Sequence, residues 1–271
     1  MKAISAAFQK AKTQKRGALV GYITAGDPSL EATPKIAAAL IEGGVDVLEL
    51  GLPFSDPIAD GPTIQAASIR ALAAGTTPFK VLEVAKQIRK KHEVPTVIMT
   101  YYNPVFRMGL GKFFDDAKAC LVDGVIVPDL PVEEAGDLKA AAGKSGVDTI
   151  FLAAPSTSNE RLASIVACSS GFLYLVSHFG VTGTQVAVAD STIKLVKRVL
   201  PFTVGKIPLA VGFGVSKPEH VRQLIGAGAD GVIVGSAFIN IIQKRKSNFE
   251  VMLKELREAA LVLKEAADVK T

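Results

Sequence analysis

Glu49 and Asp60 are the residues whose types and spacing best fit proton-transfer chemistry. Glu49 lies in the short run Val47–Gly51, where strand alternation puts both leucines on one face and Glu49 on the other. A carboxylate that faces the inside of a fold is desolvated, which raises its pKa and suits it to general acid and base catalysis near neutral pH. The alternative is a structural carboxylate bonded to a neighbouring Tyr or Ser.

Asp60 follows in the segment Leu52–Gln65, which contains three prolines and one glycine and therefore cannot be helical throughout. Two interpretations are open. Asp60 can cap a helix that starts near Pro62. It can also be a second carboxylate that faces Glu49 across a pocket, so that one group donates a proton and the other stabilises charge.

Glycine-rich turns near the end of the sequence predict a phosphate site. Gly212-Phe213-Gly214 follows the seventh predicted strand, and Gly235-Ser236 follows the eighth and precedes a short apolar helix, Ala237–Ile242. Backbone N–H groups and the positive end of a helix dipole bind phosphate in this way. Ordinary strand-to-helix turns are the alternative.

Tyr174, in the sixth predicted strand, has the parity to reach inward and hydrogen-bond a carboxylate, or else to be a core tyrosine. The segment Ser177–Gln185 that follows contains Gly180 and Gly183 and is typical of a mobile lid.

Apolar β-branched runs alternate with amphipathic segments along the chain, and this pattern predicts the elements that position these residues. We expect one (β/α)8 barrel domain over residues 1–271, with an extra N-terminal helix and a short helix after strand eight. A doubly wound sheet is the main rival, but its glycines would cluster after the first strand. The eight strands are predicted at Ala18–Thr24, Val47–Gly51, Thr96–Tyr101, Val125–Val127, Thr149–Ala153, Phe172–Ser177, Leu209–Val211 and Val232–Gly235.

Composition excludes several classes of protein. With 49% hydrophobic and 21% charged residues the chain has the balance of a folded domain. The net charge of +5 comes from basic residues interleaved with acidic ones, which does not favour nucleic-acid binding. The longest stretch without charged residues, Leu162–Ala189, is too polar for a membrane span. Cys120 and Cys168 follow no metal-ligand spacing, so we expect reduced thiols, no metal and a cytoplasmic protein.

Eight motifs together resemble the tryptophan synthase alpha subunit family over essentially the whole chain. The motif of the second strand and the loop after it is long and specific, so the resemblance goes beyond fold analogy. The motifs are Gly26–Pro28, Glu49–Pro57, Ala59–Gln65, Tyr101–Pro104, Pro128–Glu134, Gly180–Gly183, Gly212–Gly214 and Gly235–Ser236.

The resemblance implies a retro-aldol cleavage of indole-3-glycerol phosphate to indole and D-glyceraldehyde 3-phosphate. Glu49 matches the acid and base that protonates indole C3, and Asp60 matches the carboxylate that bonds the indole N–H and stays ionised. Tyr174 matches the tyrosine that orients this pair. Tyr22, Thr100, Val127 and Phe213 match the indole pocket, Thr182 matches the lid residue that meets Asp60, and Gly183, Gly214, Gly235 and Ser236 match the phosphate cradle. The lid departs from the family at His178-Phe179 and Thr184-Gln185.

The resemblance also implies a beta subunit that carries pyridoxal phosphate, in an alpha2-beta2 heterotetramer for L-tryptophan synthesis, and no cofactor on this chain. Asp56, Asn103 and Pro104 would face this partner. We expect weak activity alone and stronger activity in the complex. Two other classes remain: another phosphate-binding barrel enzyme such as a phosphosugar isomerase, and a non-catalytic regulatory subunit. The presence of both Glu49 and Asp60 argues against the second.

Overall fold

A computed structural model describes residues 1–176, 190–212 and 214–268 of the chain. Its strands are β1 Ala18–Thr24, β2 Val47–Gly51, β3 Thr96–Met99, β4 Gly124–Ile126, β5 Asp148–Ile150, β6 Leu152–Ala153, β7 Leu173–Val176, β8 Leu209–Gly212 and β9 Gly231–Val234. Its helices are α1 Ala3–Thr13, α2 Thr33–Glu42, α3 Pro62–Ala73, α4 Pro78–Arg89, α5 Tyr102–Met108, α6 Leu110–Ala119, α7 Gly136–Ser145, α8 Asn159–Cys168, α9 Asp190–Thr203, α10 Pro218–Gly226, α11 Ser236–Arg245 and α12 Phe249–Glu265.

The strands form one parallel sheet in the order β5-β4-β3-β2-β1-β9-β8-β7-β6. The two ends of this order meet in the chain, because β5 and β6 are separated by Phe151 alone. β5 pairs with β4 and β6 pairs with β7, so the two short strands are halves of one interrupted strand. The sheet is therefore the predicted barrel of eight strand positions, and the fifth position, predicted as the continuous strand Thr149–Ala153, is broken at Phe151.

Strand alternation separates the core into two clusters. Side chains such as Leu48 and Leu50 point outward and pack under the surrounding helices. Side chains such as Val47, Phe172 and Tyr174 point into the barrel. This confirms the predicted parity of the second strand, with its leucines outside and Glu49 inside.

Helix α1 is the predicted extra N-terminal helix, and it packs against the interior cluster of the barrel. Ile4, Phe8 and Ala11 are buried on its inner face, and the rings of Phe8 and Phe172 lie 5.5 Å apart. The Lys2 ammonium donates to the buried Asp148 carboxylate at the start of β5, at 2.8 Å. Because β5 starts at the amino ends of the strands, α1 closes that end of the barrel.

Helices α5 and α6 were not predicted as elements. Helix α11 follows the last strand as predicted, but it extends over ten residues and is longer than Ala237–Ile242. In the described part of the chain, no helix has the length and apolarity needed to cross a membrane.

Candidate active site

Glu49 lies in the middle of β2 and points into the barrel. Its side chain is 1% exposed, and among the described residues neither of its carboxylate oxygens has a hydrogen-bond partner. Burial, together with the nearby charge of Asp60, raises the pKa of Glu49 to about 8. The geometry therefore favours an acid that is protonated near neutral pH over a structural carboxylate bonded to a Tyr or Ser.

Asp60 ends the loop between β2 and α3. The residue that precedes the helix is Gly61, and no side chain caps α3, so the alternative in which Asp60 caps this helix is wrong. Burial raises the pKa of Asp60 to about 6, and a hydrogen bond from Tyr101 opposes the rise. At pH 7 Asp60 is still mostly ionised, by about ten to one.

Tyr101, at the end of β3, holds the loop that carries Asp60. Its hydroxyl accepts the N–H of Ala59 at 3.0 Å and donates to Asp60. Its ring stacks on Phe54 with centroids 5.2 Å apart. Tyr101 was not predicted as a site residue, although its position two residues after a strand that pairs with β2 was a usable signal.

Tyr22 on β1 and Tyr174 on β7 are buried inside the barrel beside the carboxylates. Burial raises the pKa of both phenols, and the charges of Glu49 and Asp60 raise it further, so both tyrosines are neutral hydrogen-bonding groups. Tyr22 is paired in register with Glu49. Its hydroxyl lies 3.3 Å from the hydroxyl of Thr24.

Two glycines make room for these tyrosines. A Cβ on Gly51 would lie 2.7 Å from Cζ of Tyr22, and a Cβ on Gly212 would lie 2.7 Å from the hydroxyl oxygen of Tyr174. Both distances are shorter than real Cβ contacts allow. Gly51 and Gly212 thus accommodate an aromatic ring, whereas the sequence predicted that Gly212 would let the backbone approach phosphate.

The carboxylates line one pocket, which is open to solvent. It brings together seven of the predicted site residues: Tyr22, Glu49, Asp60, Tyr174, Gly214, Gly235 and Ser236. Five residues that were not predicted also line it: Gly61, Ile64, Met99, Val215 and Ile233. The pocket therefore combines two carboxylates, two phenols and an apolar wall.

Two further predicted pocket residues, Thr100 and Val127, do not line this pocket. Thr100 is buried, does not line this pocket, and donates its hydroxyl to the carbonyl of Tyr101 at 3.2 Å. Val127 lines a neighbouring cavity with Ala59 and Asp129. Thr182, Gly183 and Phe213 lie outside the described residues, as do both predicted departures of the lid.

The far end of the pocket is the amino end of α11. The N–H of Ile239 bonds the carbonyl of Gly235, so the helix itself uses none of the preceding N–H groups. Gly214, with φ of +81°, comes from the separate loop after β8 and lines the same end. Free backbone donors and a positive helix end suit an anionic group such as phosphate.

The predicted partner-facing residues lie near one another on the rim. Asp56 and Asn103 are exposed and Pro104 is partly exposed. Two large apolar side chains beside them are also open to solvent, Ile58 at 84% and Phe106 at 63%. An exposed apolar pair next to an exposed charge is typical of a protein–protein contact.

Among the described residues no group of His, Cys, Asp and Glu side chains has the arrangement of a metal site. Cys120 and Cys168 are free thiols, and burial raises the pKa of Cys120 to about 11.

Comparison with known proteins identifies the family. A family model described as tryptophan synthase alpha chain matches residues 8–268. The tryptophan synthase alpha chain of Methanoregula boonei is 49% identical over 253 residues, 93% of this chain and 95% of that one. That of Methanosarcina acetivorans is also 49% identical, over 95% of this chain and 94% of that one.

Solved structures of tryptophan synthase are also similar to this chain. A structure of Mycobacterium tuberculosis tryptophan synthase has a TM-score of 0.90 at 36% identity and covers 99% of both chains. A tryptophan synthase complex from Pyrococcus furiosus has a TM-score of 0.84 at 42% identity, over 91% of this chain and 98% of that one. The barrel, the paired carboxylates and the anion end of the pocket are thus found in a chain that belongs to the tryptophan synthase alpha chain family.

Proposed function

We propose that Glu49, Asp60 and Tyr174 carry out the reaction of the tryptophan synthase alpha chain, the cleavage of indole-3-glycerol phosphate to indole and D-glyceraldehyde 3-phosphate. The observation that carries the proposal is the buried carboxylate of Glu49 and the half-buried carboxylate of Asp60 in one pocket, with a pKa of about 8 for Glu49 and about 6 for Asp60. Near pH 7 Glu49 is protonated and can donate a proton, and Asp60 is an anion that can stabilise positive charge. The reaction needs both groups in these states.

The phosphate of the substrate binds at the amino end of α11, on backbone N–H groups next to Gly235 and Ser236 and close to Gly214. The indole ring then occupies the part of the pocket lined by Tyr22, Met99 and Ile64. Thr100, Val127, Phe213, Thr182 and Gly183 remain in this proposal on the family resemblance.

Protonated Glu49 donates its proton to indole C3, and the ring becomes a cationic indolenine. The Asp60 carboxylate accepts a hydrogen bond from the ring N–H and stabilises this charge. Glu49, now a carboxylate, takes the proton of the adjacent glycerol hydroxyl. The carbon–carbon bond breaks, its electron pair restores the indole ring, and the hydroxyl oxygen becomes the aldehyde carbonyl. Glu49 ends in the protonation state in which it began.

Tyr174 orients the carboxylates in this scheme. It lies on the interior face of the barrel near both groups, whose charges raise its pKa. A neutral phenol can donate one hydrogen bond to a carboxylate without adding charge to the pocket.

Indole passes to a beta subunit in an alpha2-beta2 heterotetramer for L-tryptophan synthesis. Pyridoxal phosphate is carried by that beta subunit and not by this chain. The exposed rim residues Asp56, Asn103 and Pro104, together with Ile58 and Phe106, form the docking surface in this proposal, with Asp56 in an intersubunit ion pair. Residues 1–271 act as one barrel domain in the cytoplasm.

Indole formation from indole-3-glycerol phosphate, measured with and without a beta subunit, tests the function. We expect slow turnover by the chain alone and faster turnover in the complex, because docking shifts the rim loops toward the active arrangement. Glu49→Gln and Asp60→Asn should each abolish indole release while retaining substrate binding. Full activity in either variant would show that the assigned role is wrong, and binding without turnover by the unmodified chain would favour a regulatory subunit.

A further inference from the structure

A buried ion pair ties the far end of α3 to the loop after β1. Asp27 is 1% exposed, and both of its carboxylate oxygens accept hydrogen bonds from Arg70 in the last turn of α3. The distances are 2.8 Å from Nε to Oδ1 and 2.7 Å from Nη2 to Oδ2. This two-pronged geometry fixes both the distance and the orientation of the guanidinium, which a single-point contact would not.

Helix α3 carries part of the active site at its other end. Asp60 and Gly61 directly precede it, Ile64 lies in its first turn, and all three line the pocket. The side-chain amide of Gln65 donates to the carbonyl of Asp60 at 2.8 Å, so the backbone of Asp60 is tied to the helix. A displacement of α3 therefore moves Asp60 relative to Glu49, which sits on a different element.

The small buried residues of α3 give it few ridges that would oppose a shift along its axis. The helix lies on β1 and α11, and its buried residues Ala67, Ser68 and Ala71 are small. Small side chains interlock weakly with neighbouring ridges and grooves. Arg70 lies ten residues after Asp60 in the sequence, which is roughly 15 Å along a helix. The ion pair thus holds the helix at the end opposite Asp60 and leaves the end that lines the pocket unobstructed.

We propose that Arg70 is a positioning residue which, by its paired hydrogen bonds to Asp27, sets the axial position of α3 and thereby the distance between the Asp60 and Glu49 carboxylates. Because the inference rests on the role of Asp60 in the proposed function, Asp60→Asn is measured alongside. Loss of the pair shifts Asp60 toward solvent without removing any group that touches the substrate.

The test is Arg70→Lys in the full chain assembled with a beta subunit, since lysine keeps the charge but makes only one contact. We expect kcat to fall by at least about tenfold, because small displacements of a catalytic group cost factors of this order, and KM to change by less than about twofold. The acidic limb of the pH–activity profile should move below its position near 6, since a more hydrated Asp60 has a lower pKa.

Arg16→Lys is the matched control. Arg16 also makes a two-pronged contact with an aspartate, from Nη1 and Nη2 to Asp46 at 2.8 and 2.9 Å. Its side chain is more deeply buried than that of Arg70, and Asp46 also binds Lys264. Asp46 precedes β2 at the opposite end of the barrel from the pocket. We expect this variant to lose comparable thermal stability and to retain kcat and the pH profile.

The inference is overturned if Arg70→Lys behaves as Arg16→Lys does, with lower stability but unchanged kcat and pH profile. Should Arg70→Lys fail to fold, Asp27→Asn, which keeps the side-chain size, is judged by the same measurements. If Asp60→Asn itself retains full activity, the assigned role of Asp60 is wrong. An inactive Asp60→Asn together with an unchanged Arg70→Lys refutes the positioning role alone.

Discussion

Replacing Glu49 with Gln should stabilise the folded chain while it abolishes activity. The carboxyl group ionises near its ordinary value of 4.5 in the unfolded chain and at about 8 in the folded one. Below 4.5 both states are protonated and the group contributes nothing. Between the two values the unfolded chain has released a proton that the folded chain keeps, so a rise in pH favours unfolding. Because Gln has no proton to release in this range, the stability of the variant does not fall with pH for this reason.

The size of the effect follows from the two pKa values. Ionisation of Glu49 lowers the free energy of unfolding by about 1 kcal/mol at pH 5, about 2 at pH 6, about 3 at pH 7 and a little over 4 at pH 8. Above pH 8 it levels off, because both states are ionised. The buried amide of Gln adds its own cost, but that cost does not depend on pH.

The assay is urea unfolding of the chain, followed by far-ultraviolet circular dichroism between pH 5 and pH 8. The quantity of interest is the difference in free energy of unfolding between Glu49→Gln and the unmodified chain at each pH. Glu93→Gln, at an exposed position, is the control.

A flat difference across this range would refute the reasoning, because it would mean that Glu49 ionises at a similar pH in both states. A difference that grows with pH for the control as well would point to a general charge effect. If the difference in free energy of unfolding increases with pH for Glu49→Gln alone, and indole formation is lost, the same carboxyl group both destabilises the chain and takes part in its chemistry.

Three further expectations concern the same pocket. The pH profile of kcat/KM for indole formation should be bell-shaped between about 6 and about 8, because Asp60 must be ionised and Glu49 protonated. A maximum outside this window would contradict the assignment. Gly51→Ala should destabilise the chain by roughly 1–3 kcal/mol in thermal unfolding, since its Cβ would overlap Tyr22, and Tyr22→Phe in the same chain should restore part of the loss. Gly235→Val should raise KM for the substrate at least several-fold with a smaller effect on kcat, because its Cβ would lie 3.1 Å from the ring of Tyr22 at the start of α11, where the phosphate is proposed to bind; an unchanged KM would place the phosphate elsewhere.

The strands near the carboxylates could be predicted closely from the sequence. The bounds of β1 and β2 match the prediction, and the inward direction of Glu49 follows from alternation alone, because a one-residue shift would bury it among the helices. The break at Phe151 could not be predicted, since it depends on the pairing of each half with a different neighbour.

Other features depend on contacts between segments that are distant in sequence. The role of Tyr101 arises from the way the loop before Asp60 folds over the end of β3. The raised pKa of Asp60 has the same origin, because burial of a loop residue is not visible in its local sequence. Helix α5 is only seven residues long and contains Pro104, so its periodicity is too short to detect.

Helix α1 makes the two ends of the barrel different, because it covers only one of them. Ile4, Phe8 and Ala11 pack against its interior, so α1 covers the amino ends of the strands. The pocket in which the reaction takes place is therefore closed at that end. Among the described residues, the mouth of the pocket lies at the other end of the barrel, on the side where Ile58 and Phe106 are exposed. A protein that docks on that mouth controls the exit route as well as the rate, so that an apolar product can be handed over before it reaches bulk water.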